Sequence, residues 1–257
     1  MPAVTLDLWH TLMYLPPEDE EAYMAHQIAM GREVLRLSPR LPGAPAVSDD
    51  ELGRAFERAY DAAVAASSDG KTMTPTDQIL RAAKEVGRAV DPRDYLSRLK
   101  AEVERTPFRL APGAIELLRE LQEMHYRLGV VSNTIGEPGA FLRPILATLG
   151  FDRYVETYVF SDEQPWAKPS PEIFLRALDG LGERPDDAVH VGDGWADLEG
   201  ARRAGYRGTV LYTGLRSYGD RYRRLFRPGA PGSPEASCQT DRLNEVGPLV
   251  RKLLPPE

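Results

Sequence analysis

The sequence predicts an α/β fold, a Rossmann-like parallel sheet core with a small all-helical cap domain. After residue 107, segments of helix and strand character alternate, a pattern typical of parallel strands joined by helices. Between a first apolar strand and that alternation lies a stretch of about ninety residues with helical periodicity only. We therefore predict a core formed by residues 1–15 and 107–257 and a cap inserted at residues 16–106.

Composition and charge narrow the class of protein. The 257 residues are 42% hydrophobic and 28% charged, which is ordinary for a globular chain, and the formal net charge of −7 gives no global attraction for nucleic acid or anionic lipid. No run reaches the roughly 18 apolar residues of a membrane span, the start (Met1, Pro2, Ala3) lacks a signal-peptide pattern, and the single Cys238 fits a reducing compartment. We expect a cytoplasmic protein with a small-molecule substrate and neither nucleic acid nor a membrane as partner. The oligomeric state stays open.

The chain begins with a predicted strand at residues 4–8, a short apolar run rich in branched side chains. A first helix of the cap follows. Its apolar face is formed by residues at helical spacing, namely Tyr23, Met30, Val34 and Leu37.

Three more helices are predicted in the insertion. Ser48 and Glu51 form a capping box, and apolar residues recur behind it at spacings of three and four. Pro75 and Pro92 each precede an amphipathic stretch, since the first turn of a helix tolerates a residue without an N–H. The insertion is therefore expected to be a small helical bundle.

The remaining elements belong to the core, and the first strand must join their sheet because it cannot bury both faces alone. They are predicted in this order: helix 112–125, strand 127–132, helix 138–149, strand 154–160, helix 171–181, strand 187–192, helix 195–204, strand 208–213 and helix 241–254.

Polar residues follow four of the predicted strands. Ligands in open α/β sheets bind beyond the carboxyl ends of the strands, so these residues should meet in one crevice. The set comprises three carboxylates, one ammonium and one hydroxyl: Asp7, Asp193, Asp197, Lys168 and Ser132. Carboxylates brought that close repel one another unless a cation lies between them, and Mg²⁺ prefers oxygen ligands. The pattern therefore predicts a magnesium site.

These segments, in this order, resemble the four motifs of the haloacid dehalogenase superfamily of phosphohydrolases and dehalogenases. The resemblance covers nearly the whole chain. It rests mainly on Val191-Gly192-Asp193 with Asp197 and on Lys168-Pro169 with Pro171-Glu172-Ile173-Phe174, whereas Ser132-Asn133 adds less. It implies a Rossmann-like sheet with a cap inserted after the first strand, as in many small-molecule phosphatases of the superfamily.

The resemblance also implies roles for individual residues. Asp7 is the expected nucleophile that forms an aspartyl intermediate, Ser132 is expected to hydrogen-bond the transferring group, and Lys168 is expected to hold Asp7 and the phosphoryl oxygens. The implied metal ligands are Asp7, the backbone carbonyl of Trp9, Asp193 and Asp197. We place Asn133, His10 and Thr11 next to the substrate. The alternative for the charged residues is a buried ion-pair network without turnover, and Asp197 could instead stabilise a helix N-terminus.

One position departs from the phosphatase pattern. Phosphatases of the superfamily usually carry a second Asp two residues after the nucleophile, and here that residue is Trp9. Dehalogenases of the superfamily have an aromatic residue there, but they work without metal and typically lack the acidic residue at position 193. We predict a Mg²⁺-dependent phosphohydrolase of a small phosphorylated metabolite. The alternatives are a metal-free 2-haloacid dehalogenase, a non-catalytic binding protein that keeps the fold and metal site, and phosphotransfer to an acceptor other than water.

Other polar residues receive weaker interpretations. His10 is either a general acid or a residue that hydrogen-bonds its own loop. Structural roles are predicted for His26, His125 and His190, and Trp166 either walls the pocket or packs. Residues 216–227 contain five Arg against one Asp, which suggests either a flap that attracts an anionic substrate or a solvated helical face.

Overall fold

The computed structural model describes residues 1–215 and 235–256. The Arg-rich segment 216–227 lies outside the described residues, as does residue 257. In chain order, the strands of the described ranges are β1 (Ala3–Leu6), β2 (Met13–Tyr14), β3 (Arg109–Leu110), β4 (Arg127–Ser132), β5 (Val155–Phe160), β6 (Ala188–Gly192), β7 (Gly208–Tyr212) and β8 (Cys238–Thr240).

Six of these strands form one parallel sheet in the order β5-β4-β1-β6-β7-β8. Its central strands β4, β1 and β6 are buried along nearly their whole length. Such two-sided burial is typical of parallel strands covered by helices on both faces. The fold class predicted from the alternation of strands and helices is confirmed.

Helices occupy most of the remaining described chain. They are α1 (Pro17–Leu37), α2 (Asp49–Ser68), α3 (Pro75–Val86), α4 (Pro92–Arg105), α5 (Ala114–Glu123), α6 (Gly139–Thr148), α7 (Pro171–Leu181), α8 (Trp195–Arg203) and α9 (Val246–Leu253).

Local signals set the starts of the inserted helices. Ser48 accepts a hydrogen bond from the backbone N–H of Glu51, but only this half of the capping box forms, because the Glu51 carboxylate pairs with Arg54 and Arg58. The complete reciprocal box is at Thr74 and was not predicted. The two prolines expected to begin helices do begin α3 and α4.

The end of the chain differs from the prediction. Residues 238–240 form β8, a sixth strand that sequence analysis did not predict, and the last helix begins at Val246 instead of residue 241. Gln239 and Thr240 interrupt the apolar pattern, and among the described strands β8 lies at the edge of the sheet and pairs with β7 alone. Such a short polar strand carries no periodic signal.

A small antiparallel pair connects the inserted helices to the sheet. Met13 in β2 pairs with Leu110 in β3, so the chain enters and leaves the α1–α4 bundle side by side. The domain boundaries after residues 15 and 106 stay predictions. Across the described ranges, no helix combines the length and the apolar character that a membrane crossing requires.

The bundle lies over the carboxyl edge of the sheet. Ile135, in the loop after β4, packs against Tyr60, Ala63 and Val64 of α2. The loop after α2 reaches the segment after β5, where the backbone N–H of Ala167 donates to the carbonyl of Gly70 over 3.0 Å. Since the predicted site residues follow the sheet strands at this edge, the bundle covers them.

Candidate active site

A buried lysine connects two carboxylates at the ends of the central strands. Asp7 follows β1, and its Oδ1 lies 2.5 Å from Nζ of Lys168. The same ammonium lies 2.7 Å from Oδ1 of Asp197. All three side chains are almost wholly buried. Burial alone would lower the pKa of Lys168, but the carboxylates of Asp197 and Asp7 outweigh it and raise that pKa.

The third carboxylate lacks a compensating charge of its own. Asp7, Asp193 and Asp197 each offer an oxygen within 4.8 Å of the others. Burial, followed by the negative charges of Asp7 and Asp197, raises the pKa of Asp193. Burial likewise raises the pKa of Asp7 to about 7, against the opposing effect of Lys168. Burial also acts on Asp197, but Lys168 and His190 lower its pKa. One lysine therefore compensates a single negative charge among three carboxyl groups.

Local backbone structure explains why this motif contains glycines. A Cβ on Gly192 would lie 2.3 Å from Cγ of Asp197, so only glycine lets this carboxylate lie against the end of β6. Oδ2 of Asp197 accepts a hydrogen bond from the N–H of Gly194 over 3.1 Å, at the start of α8. Asp197 therefore both caps its helix and holds the lysine.

Asn133 connects the end of β4 to the lysine and to the cap. Its Oδ1 accepts from the backbone N–H of Lys168 over 2.7 Å, and its Nδ2 donates to the carbonyl of Lys168 over 2.9 Å. The same Nδ2 lies 2.9 Å from Oγ of Ser67 in α2. Asn133 thus fixes the backbone that carries the ammonium, and it does so in contact with the inserted bundle. The neighbouring Ser132 is fully buried at the end of β4.

The loop after Asp7 brings the next predicted residues to the same edge. Trp9 is half-buried, and its ring packs edge-on against Phe108 with centroids 5.2 Å apart. Thr11 is fully buried, and its hydroxyl has no hydrogen-bond partner among the described residues. His10 has a left-handed backbone (φ of 62°), and burial lowers its pKa to about 3. A histidine with that pKa is uncharged at neutral pH.

A structural role was predicted for His190, and its ring lies against Asp197 at the edge of the site. The imidazole is fully buried in β6, with Nε2 at 3.1 Å from Oδ1 of Asp197 and Nδ1 at 2.8 Å from Oγ1 of Thr5. Since a carboxylate only accepts, Nε2 of His190 donates to Asp197. Thr5 and His190 are paired across β1 and β6. Two polar residues in adjacent buried strands were the signal that could have revealed this contact.

The donor set fits a divalent cation. Carboxylate oxygens are the ligands that Mg²⁺ takes in proteins, and the carboxyl groups of Asp7 and Asp193 lie together with raised pKa values. A cation between them would favour their ionised forms. Asp197 has fewer acceptor positions left for a cation, because its Oδ1 already accepts hydrogen bonds from Lys168 and His190.

Comparison with known proteins gives the family. A model of the haloacid dehalogenase-like hydrolases matches residues 1–205, so the chain belongs to the haloacid dehalogenase-like hydrolase family. The resemblance stated from the four motifs is confirmed.

Individual relatives are similar over part of their length. A phosphoglycolate phosphatase of Nitrosococcus oceani is 33% identical over 124 residues, covering 48% of this chain and 52% of the relative. A glyceraldehyde 3-phosphate phosphatase of Methanopyrus kandleri is 37% identical over 95 residues, covering 37% of this chain and 40% of the relative. The chain thus spans about half or less of the curated relatives it matches. The crystal structure of a HAD phosphatase from Thermococcus onnurineus shares the fold, with a TM-score of 0.61, 23% identity, and coverage of 100% of this chain and 99% of that one.

Proposed function

We propose that the protein is a Mg²⁺-dependent phosphohydrolase that acts on a small phosphorylated metabolite through an aspartyl-phosphate intermediate on Asp7. The observation that carries the proposal is the single buried ammonium of Lys168, bonded to both Asp7 and Asp197 beside the carboxyl group of Asp193. The phosphatase names of the two curated relatives support it.

In this proposal Asp7 and Asp193 would hold the cation together with the backbone carbonyl of Trp9, and Asp197 would be a further ligand. Bound Mg²⁺ would offset the negative charge shared by these carboxylates and the phosphoryl group. Among the described residues, Lys168 is the cation that otherwise meets that charge.

The chemical roles follow from the contacts. Lys168 and the backbone N–H of Leu8 both bond to Oδ1 of Asp7, which fixes the orientation of the carboxylate for attack on phosphorus. Attack forms the bond from Asp7 to phosphorus while the bond to the leaving oxygen breaks. Ser132 would donate its hydroxyl to a phosphoryl oxygen, and Asn133 keeps the lysine backbone in place. Water then hydrolyses the aspartyl phosphate.

Two of the predicted neighbours have distinct expected roles. The hydroxyl of Thr11 is buried and has no hydrogen-bond partner among the described residues, so we assign it a hydrogen bond to the substrate. His10 is proposed as a neutral contact and not as the general acid, because burial lowers its pKa to about 3. Without an acid at the position of Trp9, the leaving group must depart largely unassisted.

A metal-free 2-haloacid dehalogenase is the second candidate, favoured by the aromatic side chain of Trp9. Asp193 opposes it, since a third, half-buried carboxylate repels an anionic haloacid more than it helps the reaction. A non-catalytic binding protein is the third candidate.

The test is a panel of aryl, acyl and alkyl phosphates and 2-haloacids, assayed with Mg²⁺ and with chelator, using Asp7→Asn as the control. Phosphate release that needs Mg²⁺ and disappears in the variant supports the proposal. Halide release that survives chelation replaces it with the dehalogenase. No release from any compound would favour the binding protein.

A further inference from the structure

Two carboxyl groups interact electrostatically where the inserted bundle meets the loop after β4. Glu20 is in the first turn of α1, and Glu137 lies just before α6. After burial, the charge of Glu137 is the next cause that raises the pKa of Glu20. The two residues therefore interact across the seam between bundle and sheet.

The face of α1 that meets this loop is polar. Glu20, Tyr23 and Gln27 follow one another at spacings of three and four, so they lie on the same side of the helix. Nε2 of Gln27 donates to Oε1 of Glu137 over 3.3 Å. A Cβ on Gly136 would lie 2.9 Å from Oε1 of Gln27, which shows how closely this side chain approaches the loop.

No cation compensates these acids in the described ranges 1–215 and 235–256. The side chains with the largest effects on the pKa of Glu137 are Tyr23 and Gln27, and neither carries a positive charge. Within these ranges, the one charged group that acts on the pKa of Glu20 is Glu137 itself. A partly buried carboxylate without a positive partner loses hydration that nothing replaces, so these acids can accept a cation that the described chain does not supply.

Unused hydrogen-bonding groups surround the same place. Oε1 of Gln27 belongs to a side chain that is 1% exposed, and it has no hydrogen-bond partner among the described residues. The hydroxyl of Tyr95 in α4 is fully buried and equally unpaired there, and the charge of Glu137 acts on it. Buried polar atoms are normally paired, so these atoms indicate a missing partner.

Glu20, Gln27 and Glu137 lie where they could contact the end of a substrate that is remote from the phosphoryl group at Asp7. Glu137 is on the loop that begins with Ser132 and Asn133. The ring of Tyr23 packs edge-on against Phe108, and Phe108 packs against Trp9, two residues after Asp7. Glu20 thus lies on the bundle side of this seam, in the same helix as Tyr23, and Glu137 lies on the sheet side, in the same loop as Asn133.

We propose that Glu20, Glu137 and Oε1 of Gln27 form a subsite for an ammonium group at the distal end of the substrate, so that the preferred substrate is an aminoalkyl phosphate. This inference rests on the proposed function. An ammonium has three N–H donors for the three acceptors and supplies the absent positive charge. A distal carboxylate, such as that of phosphoglycolate, would be repelled.

The test compares three phosphate esters with the same two-carbon skeleton: ethanolamine phosphate, hydroxyethyl phosphate and phosphoglycolate. The expected order of kcat/KM follows the charge of the distal group, with the amine first and the carboxylate last. Glu137→Gln and Glu20→Gln should each lower the preference for the amine over the hydroxyl compound by about tenfold or more, because a hydrogen bond to a charged group is lost. Glu21→Gln makes the same charge change at an exposed site of α1 and should leave the preference as in the wild type.

Because p-nitrophenyl phosphate has no distal ammonium, its hydrolysis tests the phosphohydrolase activity without the ammonium subsite. If that compound is hydrolysed but the amine is not preferred, or the preference survives both substitutions, the subsite is wrong and the phosphohydrolase stands. If no phosphate ester is hydrolysed, calorimetric titration with ethanolamine phosphate decides. Weaker binding to Glu137→Gln than to Glu21→Gln supports the subsite, and equal binding or none overturns it.

Discussion

Nζ of Lys168 lies 2.5 Å from Oδ1 of Asp7 and 2.7 Å from Oδ1 of Asp197. The lysine comes from the loop after β5, whereas the carboxylates follow β1 and β6, so the ammonium joins three parts of the sheet edge. Its positive charge is the one that opposes the desolvation of Asp7. Both stability and catalysis should therefore depend on this side chain.

Lys168→Met should abolish most activity and destabilise the fold. Removing one partner of a buried ion pair typically costs about 3 to 5 kcal/mol, because the remaining charges stay buried. We expect a loss of that order in urea unfolding at neutral pH, and a smaller loss in acid, where Asp7 and Asp193 take up protons. Lys84→Met, which removes an exposed lysine of α3, is the control. Equal stability of the two variants would contradict the role assigned to the buried ammonium.

Ser67→Ala tests whether the bundle supports the catalytic edge. The substitution removes the acceptor of the hydrogen bond from Nδ2 of Asn133 and leaves that amide bonded to the carbonyl of Lys168. A net hydrogen bond of about 1 kcal/mol corresponds to roughly a fivefold loss in kcat/KM. Ser68→Ala is the matched control, because its hydroxyl donates to Val64 within α2. Equal kcat/KM values for Ser67→Ala and Ser68→Ala in steady-state kinetics would show that the contact between Asn133 and Ser67 does not support catalysis.

The carboxyl groups of Glu20 and Glu137 should make the free energy of unfolding depend on pH. Burial raises the pKa of Glu137, and burial with the charge of Glu137 raises that of Glu20, from 4.5 to about 7 in each case. Between these two values the folded state binds more protons than the unfolded state, so the free energy of unfolding contributed by these groups falls as pH rises. Below pH 4.5, the lower of the two values, their contribution to the free energy of unfolding is fully present.

Glu137→Gln should remove this dependence. Relative to the wild type, its free energy of unfolding should be unchanged near about pH 4 and higher by about 1 to 2 kcal/mol near about pH 8, after allowance for screening. Chemical denaturation across this range measures the difference. For Glu21→Gln the difference from wild type should not vary with pH. A flat difference for Glu137→Gln as well would show that Glu137 ionises freely in the folded protein.

The sequence predicted the residues whose placement depends on strand order alone. Asp7 and Asp193 follow the buried strands β1 and β6, Ser132 ends β4, and Lys168 lies in the loop after β5. Parallel strands bring their carboxyl ends to one edge. The pair Thr5 and His190 was missed because side chains inside a fully buried strand carry no alternating pattern to distinguish a site contact from packing.

The cluster of Glu20, Gln27 and Glu137 could not be predicted for a different reason. It forms only when α1 lies against the loop after β4, more than one hundred residues further along the chain. Helical periodicity gives the face of α1 but not the surface against which that face packs. Strand β8 was missed for the same reason, since its pairing with β7 is a tertiary contact.

Trp9→Asp tests the consequence of the residue that departs from the phosphatase pattern. A positioned general acid is typically worth about 10² to 10⁴-fold on poor leaving groups. We expect the wild-type rate to depend steeply on leaving-group acidity, and the variant to gain on alkyl phosphates more than on aryl phosphates. Trp9→Phe controls for loss of the ring contact with Phe108. If the wild type hydrolyses alkyl and aryl phosphates at equal chemical rates, another residue supplies the proton.

A site without this acid also lacks the base that would activate water, so the aspartyl phosphate should be long-lived. The most direct measurement is acid quench of the enzyme during turnover of an aryl or acyl phosphate with Mg²⁺, followed by peptide mass spectrometry. We expect one phosphoryl group on Asp7, absent without Mg²⁺ and absent in Asp7→Asn. Turnover in which Asp7 is never phosphorylated, together with activity retained by Asp7→Asn, would contradict it.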